Sequence, residues 1–367
     1  MSSNYVPSSP YNREVKVVIA GGGIIGLTLA WRLSQQGVSV TVLEAATAGG
    51  EASWAGAGML APGGEIKCDN EWDRFTLASA RLYRDFAAEL NEESGVDPEW
   101  RLSGAVDLAA SEAEWHVQCE RAAKQSALGI DSEPLSPAAL RDLIPQLGPG
   151  GWQARWYPAD AIVNPRATVR ALLAACRRRG VVVEENTRVL SVRDGLVSTP
   201  PRQYRADAVV LACGAWSSLI DAAVPLPPAV PVRGHLIGYQ CAPGWLAPIL
   251  RHQHTYLLQR DSGLLIAGAS EEHAGFNRGI NPAIGRDIAD RAAHLLPALA
   301  GQKYETWIGF RPGSEAGHPL LGQAAPGLWL AYGHYRNGIL LAPATAARLT
   351  RELLSARPDL RPSTSAA

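Results

Sequence analysis

Val15–Glu44, with the sequence VKVVIAGGGIIGLTLAWRLSQQGVSVTVLE, is the stretch that decides the fold class of this chain of 367 residues. Val15–Ala20 is short, apolar and rich in β-branched residues, which indicates a buried strand. Ile24–Gln36 predicts a helix, and Val38–Leu43 predicts a second strand that ends at Glu44. The order strand, helix, strand is typical of a βαβ unit with a parallel sheet.

Three glycines, Gly21, Gly23 and Gly26, connect the first strand to the helix with the spacing G-x-G-x-x-G. The first permits a tight turn, the second lets the backbone approach a pyrophosphate, and the third lets helix and strand pack closely. The start of the helix also offers free N–H groups to phosphates. Glu44 can accept hydrogen bonds from both ribose hydroxyls and would repel the 2′-phosphate of NADP. The segment therefore predicts a dinucleotide site.

The residues after Glu44 favour FAD over NAD as the dinucleotide. Gly49–Leu60, GGEASWAGAGML, is a run of small residues where an NAD-binding domain usually continues into a plain helix. Such a run lets the backbone wrap closely around a large flat ligand, and its apolar end argues against a flexible surface loop. A second run of small residues, Cys213–Ala215, follows the buried strand predicted over 206–212, at the edge where doubly wound sheets bind ligands.

Composition and charge exclude several other classes of protein. Lys and Arg total 34 against 35 Asp and Glu, so the net charge is −1 and nucleic acid is not an expected partner. The five cysteines lack a C-x-x-C pair, which argues against a disulfide framework and favours a reducing, cytoplasmic compartment. We expect no secretory signal and no membrane span. Residues 1–12 and 356–367 are expected to be disordered tails.

The chain resembles the FAD-dependent amino acid and amine oxidases of the D-amino-acid-oxidase superfamily, and within it the glycine oxidase family of the thiamine pathway. The resemblance extends from about residue 15 to about residue 354. It rests on the opening glycines, Ser53–Leu60, Leu211–Ser217 (LACGAWS), Gly309–Gly313 (GFRPG) and Gly333–Thr345 (GHYRNGILLAPAT). The last of these segments is the most specific.

The resemblance implies a Rossmann-type α/β FAD-binding domain and an α+β substrate domain built on an antiparallel sheet. We expect the FAD-binding domain to contain residues 13–89, 151–224 and 305–355. The substrate domain is expected to contain residues 90–150 and 225–304, where short alternating strands mix with polar helices. We expect a homo-oligomer, and the number of subunits is left open by the sequence.

FAD is expected to bind non-covalently, because no cysteine stands in a context that suggests covalent attachment. For Cys213 a small buried side chain is favoured over a redox role. A short strand over Arg188–Val192 is expected to run beside the dinucleotide. The cofactor-binding residues that the motifs and the resemblance imply are Gly21, Gly23, Ile24, Ile25, Gly26, Glu44, Ala45, Ala52, Ser53, Ala57, Gly58, Met59, Val189, Gly214, Trp216, His334, Tyr335, Arg336, Asn337, Gly338, Ile339 and Leu340.

The substrate site that the resemblance implies contains Tyr256, Arg311 and Arg336. An arginine can hold a carboxylate by two parallel hydrogen bonds, and the apolar residues before Arg311 argue against a surface position. Tyr256, expected on an edge strand, resembles the tyrosine that donates to the same carboxylate. Because His252 and His254 alternate with Tyr256, we expect them on its face of the sheet, but without a third ligand no metal site is expected.

The activity that the resemblance implies is oxidative deamination of glycine, and of sarcosine, N-substituted glycines or small D-amino acids, by hydride transfer from the α-carbon to flavin N5. The products are a 2-oxo acid, ammonia or amine, and hydrogen peroxide from dioxygen. No side-chain base is required once the substrate amine is neutral. Three alternatives stay open: a flavin dehydrogenase that reduces a quinone or carrier, an NAD-dependent dehydrogenase, and a non-catalytic flavoprotein subunit.

Two departures from the family pattern leave the preferred substrate open. His235 stands where many relatives carry Gln or Glu. Ser270–His273 has no apolar residue where the most similar glycine oxidases carry methionine. The second segment borders the substrate in the family, so the choice among glycine, sarcosine, larger N-substituted glycines and small D-amino acids is not determined.

Overall fold

The structure is a computed structural model that describes residues 15–200 and 202–361. Within these residues the strands are, in chain order, β1 (Val15–Ala20), β2 (Val40–Leu43), β3 (Met59–Leu60), β4 (Ala105–Ala109), β5 (Glu133–Leu135), β6 (Gln153–Tyr157), β7 (Ala161–Ile162), β8 (Val182–Glu184), β9 (Ser191–Arg193), β10 (Leu196–Ser198), β11 (Gln203–Leu211), β12 (Asp221–Ala222), β13 (Ala229–Gln240), β14 (Ile249–His252), β15 (Thr255–Gln259), β16 (Leu264–Gly268), β17 (Glu305–Ser314), β18 (Leu320–Ala325) and β19 (Leu328–Tyr332).

The helices connect these strands and cover their faces. They are α1 (Ile24–Gln35), α2 (Ala52–Ala55), α3 (Pro62–Glu65), α4 (Glu71–Ser94), α5 (Glu112–Ser126), α6 (Pro137–Leu143), α7 (Pro165–Arg178), α8 (Pro282–Leu295) and α9 (Gly338–Ala356), with short 3-10 turns at Gly214–Leu219, Pro297–Leu299 and Pro358–Leu360. None of the helices in the described ranges combines the length and apolar character needed to cross a bilayer.

The first sheet has nine strands and contains the βαβ unit that the opening stretch predicts. β1 pairs in parallel with β2 on one side and with β11 on the other, and β11 continues the parallel arrangement to β19. The predicted fold class is confirmed. β2 begins at Val40, two residues later than expected. Val189 lies just before β9, so the strand expected over Arg188–Val192 starts three residues further along the chain.

Three helices, α1, α7 and α9, pack on this sheet, and α4 packs on α7 and α9 through its own apolar stripe. α1 contacts α7 and α9, and α4 contacts α7 and α9. The interface contains fully buried aromatic rings, with Trp31 of α1 edge-on to Phe86 of α4 at 5.6 Å between centroids. This layer holds the start of α1 and the start of α9 in fixed positions at the edge of the sheet.

The second sheet has eight strands in the order β17-β13-β16-β15-β14-β4-β6-β5. Neighbouring strands are antiparallel except for β14 and β4. Tyr256 therefore lies on an interior strand rather than on the expected edge strand. The register aligns one row of side chains across the sheet, formed by Trp307, Leu236, Gly268, Tyr256, Arg251, Asp107 and Arg155.

The sheets do not follow the expected domain boundaries at every point. β6 and β17, which the expected division assigns to the FAD-binding domain, belong to the second sheet. α4 crosses the expected boundary at residue 90 and packs throughout with helices of the first sheet. The physical reason is that β6 pairs with β4 and β17 pairs with β13, and pairing between distant strands cannot be seen in local patterns.

The C-terminal tail expected over 356–367 is ordered in its described part. Ala356 ends α9, and the 3-10 turn Pro358–Leu360 returns the chain to the helix layer, where Leu360 is 0% exposed. Burial of this leucine attaches the described part of the segment to the helix layer. The tail expected over 1–12, and residues 362–367, lie outside the described residues.

We expect Leu360→Ala to lower the free energy of unfolding by about 2–4 kcal/mol, since it removes a fully buried side chain and leaves a cavity. Urea unfolding measures the change. Leu219→Ala is the matched control, because Leu219 is 67% exposed, and it should change the free energy by no more than about 0.5 kcal/mol. Equal effects of the two substitutions would contradict a packed C-terminal turn.

Gly26→Ala is expected to cost about 2 kcal/mol or more in the free energy of unfolding, because a Cβ at this position would overlap the carbonyl oxygen of Gly21. Gly151→Ala is the control, since no atom lies within 4 Å of the position of its Cβ. The measurement is again urea unfolding. A Gly26→Ala protein as stable as the Gly151→Ala protein would show that α1 is not held against the turn.

Candidate functional site

A cavity of about 1290 Å³ lies between the two sheets. One end is formed by the carboxyl edge of the first sheet, at Gly21, Glu44 and Gly214. The other end is formed by the row of side chains on the second sheet that contains Tyr256. The cavity therefore joins the predicted dinucleotide site to the predicted substrate site.

Almost all of the predicted site residues line the cavity. All three predicted substrate residues line it, and so do the predicted cofactor residues other than Gly26 and Leu340. Gly26 lies behind the turn, against Gly21, and Leu340 is buried in the helix layer. The structure thus brings the predicted residues together, while the role of each one stays a prediction.

The glycine turn at the start of α1 leaves no room for side chains. Gly21 has a φ of 108°, and a Cβ there would overlap the carbonyl oxygen of Ala212. The N–H of Ile24 donates to the Ser53 hydroxyl at 2.9 Å, which attaches the predicted flavin-wrapping run to the helix start. Gly23, the N-cap residue, has no side chain, so a phosphate can approach the N–H groups of the first turn that Ser53 does not occupy.

Glu44 stands at the end of β2 and faces the cavity. Its two carboxylate oxygens accept hydrogen bonds from the backbone N–H groups of Gly22, at 2.8 Å, and Ala46, at 2.9 Å. Each oxygen keeps further acceptor capacity, because a carboxylate oxygen can accept more than one hydrogen bond. This arrangement fits recognition of ribose hydroxyls at the adenosine end of a dinucleotide.

The small-residue run forms α2 and β3 and encloses the middle of the cavity. Gly58 has a φ of 99°, and a Cβ there would overlap the carbonyl oxygen of Val163. Trp54, the largest residue of the run, does not line the cavity. Its ring packs instead beneath the Arg166 guanidinium at 3.7 Å and edge-on to Trp307. The run therefore presents backbone and small side chains to a ligand.

The start of α9 forms the wall nearest the substrate residues. Asn337 makes no side-chain cap, and Gly338 and Ile339 line the cavity, so the positive end of the helix faces it. His334 is buried against Thr345, and burial lowers the pKa of its imidazole to about 3, which keeps the ring neutral. Pro343 lies in the second turn of α9.

Two glycines make room for the two central polar side chains. A Cβ on Gly234 would collide with the guanidinium of Arg311, and a Cβ on Gly268 would collide with the hydroxyl of Tyr256. Arg311 is held by one hydrogen bond, from Nη1 to the carbonyl oxygen of Ser270 at 3.0 Å. The guanidinium and the phenol therefore reach the cavity over bare backbone.

Charge and burial set the protonation of the tyrosines. Burial raises the pKa of Tyr256, while the nearby Arg311 and Arg336 guanidinium groups lower it by a smaller amount. Burial and a hydrogen bond to Glu271 raise the pKa of Tyr335 to about 12. Both phenols keep their protons at neutral pH, so the Tyr256 hydroxyl can donate to an anion.

Arg336 differs from Arg311 in having a carboxylate partner. Its Nη2 lies 3.0 Å from Oε1 of Glu65, whose other oxygen lies 3.4 Å from the Asn337 side-chain nitrogen. Arg311 forms no ion pair with any carboxylate of residues 15–200 and 202–361. Of the two predicted arginines, Arg311 is the one whose charge is available to a ligand.

Several residues at the cavity carry no signal in the sequence. Glu65, at the end of α3, contacts Arg336 only because segments that are distant in the chain approach each other. The expectation that His252 and His254 share the face of Tyr256 is wrong, because His252 ends β14 and His254 lies in the turn before β15. The residue opposite Tyr256 is Arg251, which strand pairing alone reveals.

The remaining titratable groups do not suggest other chemistry. No group of three His, Cys, Asp or Glu side chains among residues 15–200 and 202–361 could hold a metal ion. Burial raises the pKa of the Cys213 thiol to about 12, so the thiol stays protonated. Non-covalent attachment of the flavin stays a prediction.

Comparisons with known proteins agree with this site. The family model for FAD-dependent oxidoreductases matches residues 16–352. A glycine oxidase from Pseudomonas aeruginosa is 34% identical over 93% of this chain and 95% of its own length. A glycine oxidase from Bacillus subtilis is 32% identical over 92% of both chains.

A solved structure shows the same architecture. The crystal structure of glycine oxidase from Geobacillus kaustophilus matches with a TM-score of 0.86 and 29% identity, over 92% of this chain and 94% of that chain. The glycine cradle, Glu44 and the open start of α9 fit FAD, and the resemblance inferred from the motifs is confirmed. The chain belongs to the family of FAD-dependent oxidoreductases and is an FAD-dependent amino acid oxidase.

Proposed function

We propose that this enzyme oxidises glycine and N-substituted glycines such as sarcosine, or small D-amino acids, with dioxygen as the final electron acceptor. The observation that carries the proposal is the Arg311 guanidinium beside the Tyr256 hydroxyl, at the second-sheet end of the cavity. Arg311 has no ion-pair partner among the described residues. A half-buried cation without a carboxylate partner, beside a neutral hydroxyl donor, is suited to the carboxylate of a small amino acid.

The side chains position the substrate rather than take protons from it. Arg311 donates two parallel hydrogen bonds to the carboxylate, and Tyr256 donates a third. The backbone carbonyl of Arg336 accepts a hydrogen bond from the amine, which must be unprotonated before it can become an imine. The α-carbon is thereby held in one orientation, which lowers the entropic cost of the reaction.

FAD would supply the two-electron oxidation of the substrate C–H bond, with dioxygen as the final electron acceptor and hydrogen peroxide as its product. The positive end of α9 at Gly338 and Ile339 favours negative charge at this wall of the cavity. Water then hydrolyses the imine to a 2-oxo acid and ammonia or an amine. A cytoplasmic location, a homo-oligomeric state and a role in thiamine biosynthesis stay predictions.

The direct test is anaerobic mixing of the yellow holoenzyme with glycine, sarcosine and D-alanine while the flavin absorption near its visible maximum is followed. We expect at least one of the three to bleach the flavin, and air to restore the colour with formation of one hydrogen peroxide per turnover. Bleaching without peroxide, but with reduction of a quinone dye, would assign the enzyme as a dehydrogenase. No bleaching with any of the three would contradict the proposal.

Arg311→Lys is expected to raise KM for the best of these substrates about 10- to 100-fold, because lysine replaces a two-point contact with the carboxylate by a single point charge. The visible flavin spectrum should be the same as that of the wild type, since Arg311 is proposed to bind the substrate and not FAD. Arg84→Lys is the matched control, because Arg84 is exposed on α4 and does not line the cavity. An unchanged KM in Arg311→Lys would show that Arg311 does not bind the substrate carboxylate.

A further inference from the structure

Successive backbone carbonyls of the small-residue run are bound by side chains that lie behind the cavity wall. Arg166 of α7 donates from Nε to the carbonyl oxygen of Trp54 at 3.2 Å. Trp307 of β17 donates from Nε1 to the carbonyl oxygen of Ala55 at 3.0 Å. The next two carbonyls along the chain share one donor, Arg260, whose charge the proposed oxidation does not use.

Arg260 follows the last residue of β15 and is 4% exposed. Its Nη2 donates to the carbonyl oxygens of Gly56, at 3.0 Å, and Ala57, at 3.5 Å. Both of these small residues line the cavity, whereas Arg260 does not. One layer of backbone therefore separates the guanidinium from the cavity.

The hydrogen bonds to Arg260 fix the direction of two peptide groups in this wall. Both peptides are trans, and in a trans peptide the N–H points opposite to the C=O. The N–H groups of Ala57 and Gly58 therefore point away from Arg260, and no acceptor among residues 15–200 and 202–361 bonds to either of them. Because residues 56–58 line the cavity, these N–H groups are available to a ligand there.

Arg260 is a buried cation without an ion pair, since no carboxylate in the described part of the chain lies within ion-pair distance of its guanidinium. Arg251 of the neighbouring strand β14, by contrast, pairs with two aspartates. Burial, and to a smaller extent the charge of Arg166, lowers the pKa of Arg260 to about 10, against an opposing effect of Glu99. The guanidinium still carries its charge at neutral pH.

An unpaired buried charge is unfavourable for the free protein and is suited to a ligand that brings or gains negative charge. The charge of Arg260 acts on groups in the cavity. Burial raises the pKa of Tyr256, and Arg260 is among the cations that lower it. In the low-dielectric surroundings of the wall this charge is only weakly screened.

We propose that Arg260 is a positioning residue for the flavin, which orients the peptides of residues 56–58 and by its unpaired charge favours negative charge on the ring. Hydride transfer adds negative charge to the ring, so Arg260 would assist reduction of the flavin. The inference rests on the prediction that the small-residue run encloses the flavin, and it does not depend on which amino acid is oxidised.

Sulfite tests the charge at the ring without any substrate. It adds to protein-bound flavin, leaves a negative charge on the ring and bleaches the visible absorption, so titration of the holoenzyme gives a dissociation constant. We expect Arg260→Gln to weaken sulfite binding by at least about fivefold, because glutamine retains a hydrogen-bond donor but no charge. Arg260→Lys keeps the charge and should stay within about twofold of the wild type.

Three results would overturn the inference. One is wild-type affinity for sulfite in Arg260→Gln, and another is a wild-type holoenzyme that binds no sulfite. The third is equal weakening by Arg260→Gln and Arg260→Lys, because the role of Arg260 would then be its hydrogen bonds to the run and not its charge.

Arg155→Gln is the matched control. Arg155 is 7% exposed and also forms no ion pair with a carboxylate of the described residues, but it donates to Ser132 and Cys119 and not to the run. We expect it to keep the wild-type dissociation constant for sulfite. An effect as large as that of Arg260→Gln would contradict a specific role for Arg260.

Glu99→Gln gives a second test, which applies even if Arg260→Gln does not fold or does not retain FAD. Glu99 is the carboxylate that offsets part of the effect of burial on Arg260, and glutamine keeps an oxygen for its hydrogen bond from Asn164. Removal of this negative charge leaves Arg260 less compensated, so sulfite should bind about twofold more tightly. Unchanged or weaker binding would overturn the inference.

This inference and the proposed substrate oxidation fail independently. The expected order of sulfite affinities supports the role of Arg260 even if glycine, sarcosine and D-alanine are not oxidised. Normal oxidation of glycine together with an unchanged sulfite affinity in Arg260→Gln would overturn the role of Arg260 and leave the proposed function standing.

Discussion

The structure depends on one close approach of backbone to backbone, where the turn after β1 meets the end of β11. Gly21 lies against the carbonyl of Ala212, and Gly26 lies against the carbonyl of Gly21, at distances that exclude a Cβ at either glycine. This contact places the start of α1, the end of β2 and the Cys213–Ala215 crossover around one point. A dinucleotide can be bound there because the backbone, rather than side chains, forms the surface.

Close approach to glycine backbone also occurs in the second sheet, where it makes room for side chains. Gly234 and Gly268 leave space on their strands for the Arg311 guanidinium and the Tyr256 phenol, which lie over bare backbone. The absence of a Cβ at these two glycines therefore creates the space that the Arg311 and Tyr256 side chains fill. A polar site inside a sheet requires such space, because a well-packed interior cannot admit a large side chain without displacement of its neighbours.

The arginines at the cavity differ in whether a carboxylate is paired with them, a difference that the sequence does not show. Arg336 is held by Glu65, Arg251 is held by two buried aspartates, and Arg311 has only a carbonyl oxygen as a partner. The free energy available from a substrate carboxylate is greatest where no protein carboxylate competes for the cation.

The sequence by itself determined the dinucleotide-binding unit, because the strand, the glycines, the helix and Glu44 lie within 30 residues and follow local steric rules. Resemblance to a family, rather than spacing, located Tyr256 and Arg311. Only the tertiary structure decided that Arg251 lies beside Tyr256 and that Glu65 reaches Arg336. Such contacts depend on the register of strands and the approach of loops distant in the chain, which local patterns do not encode.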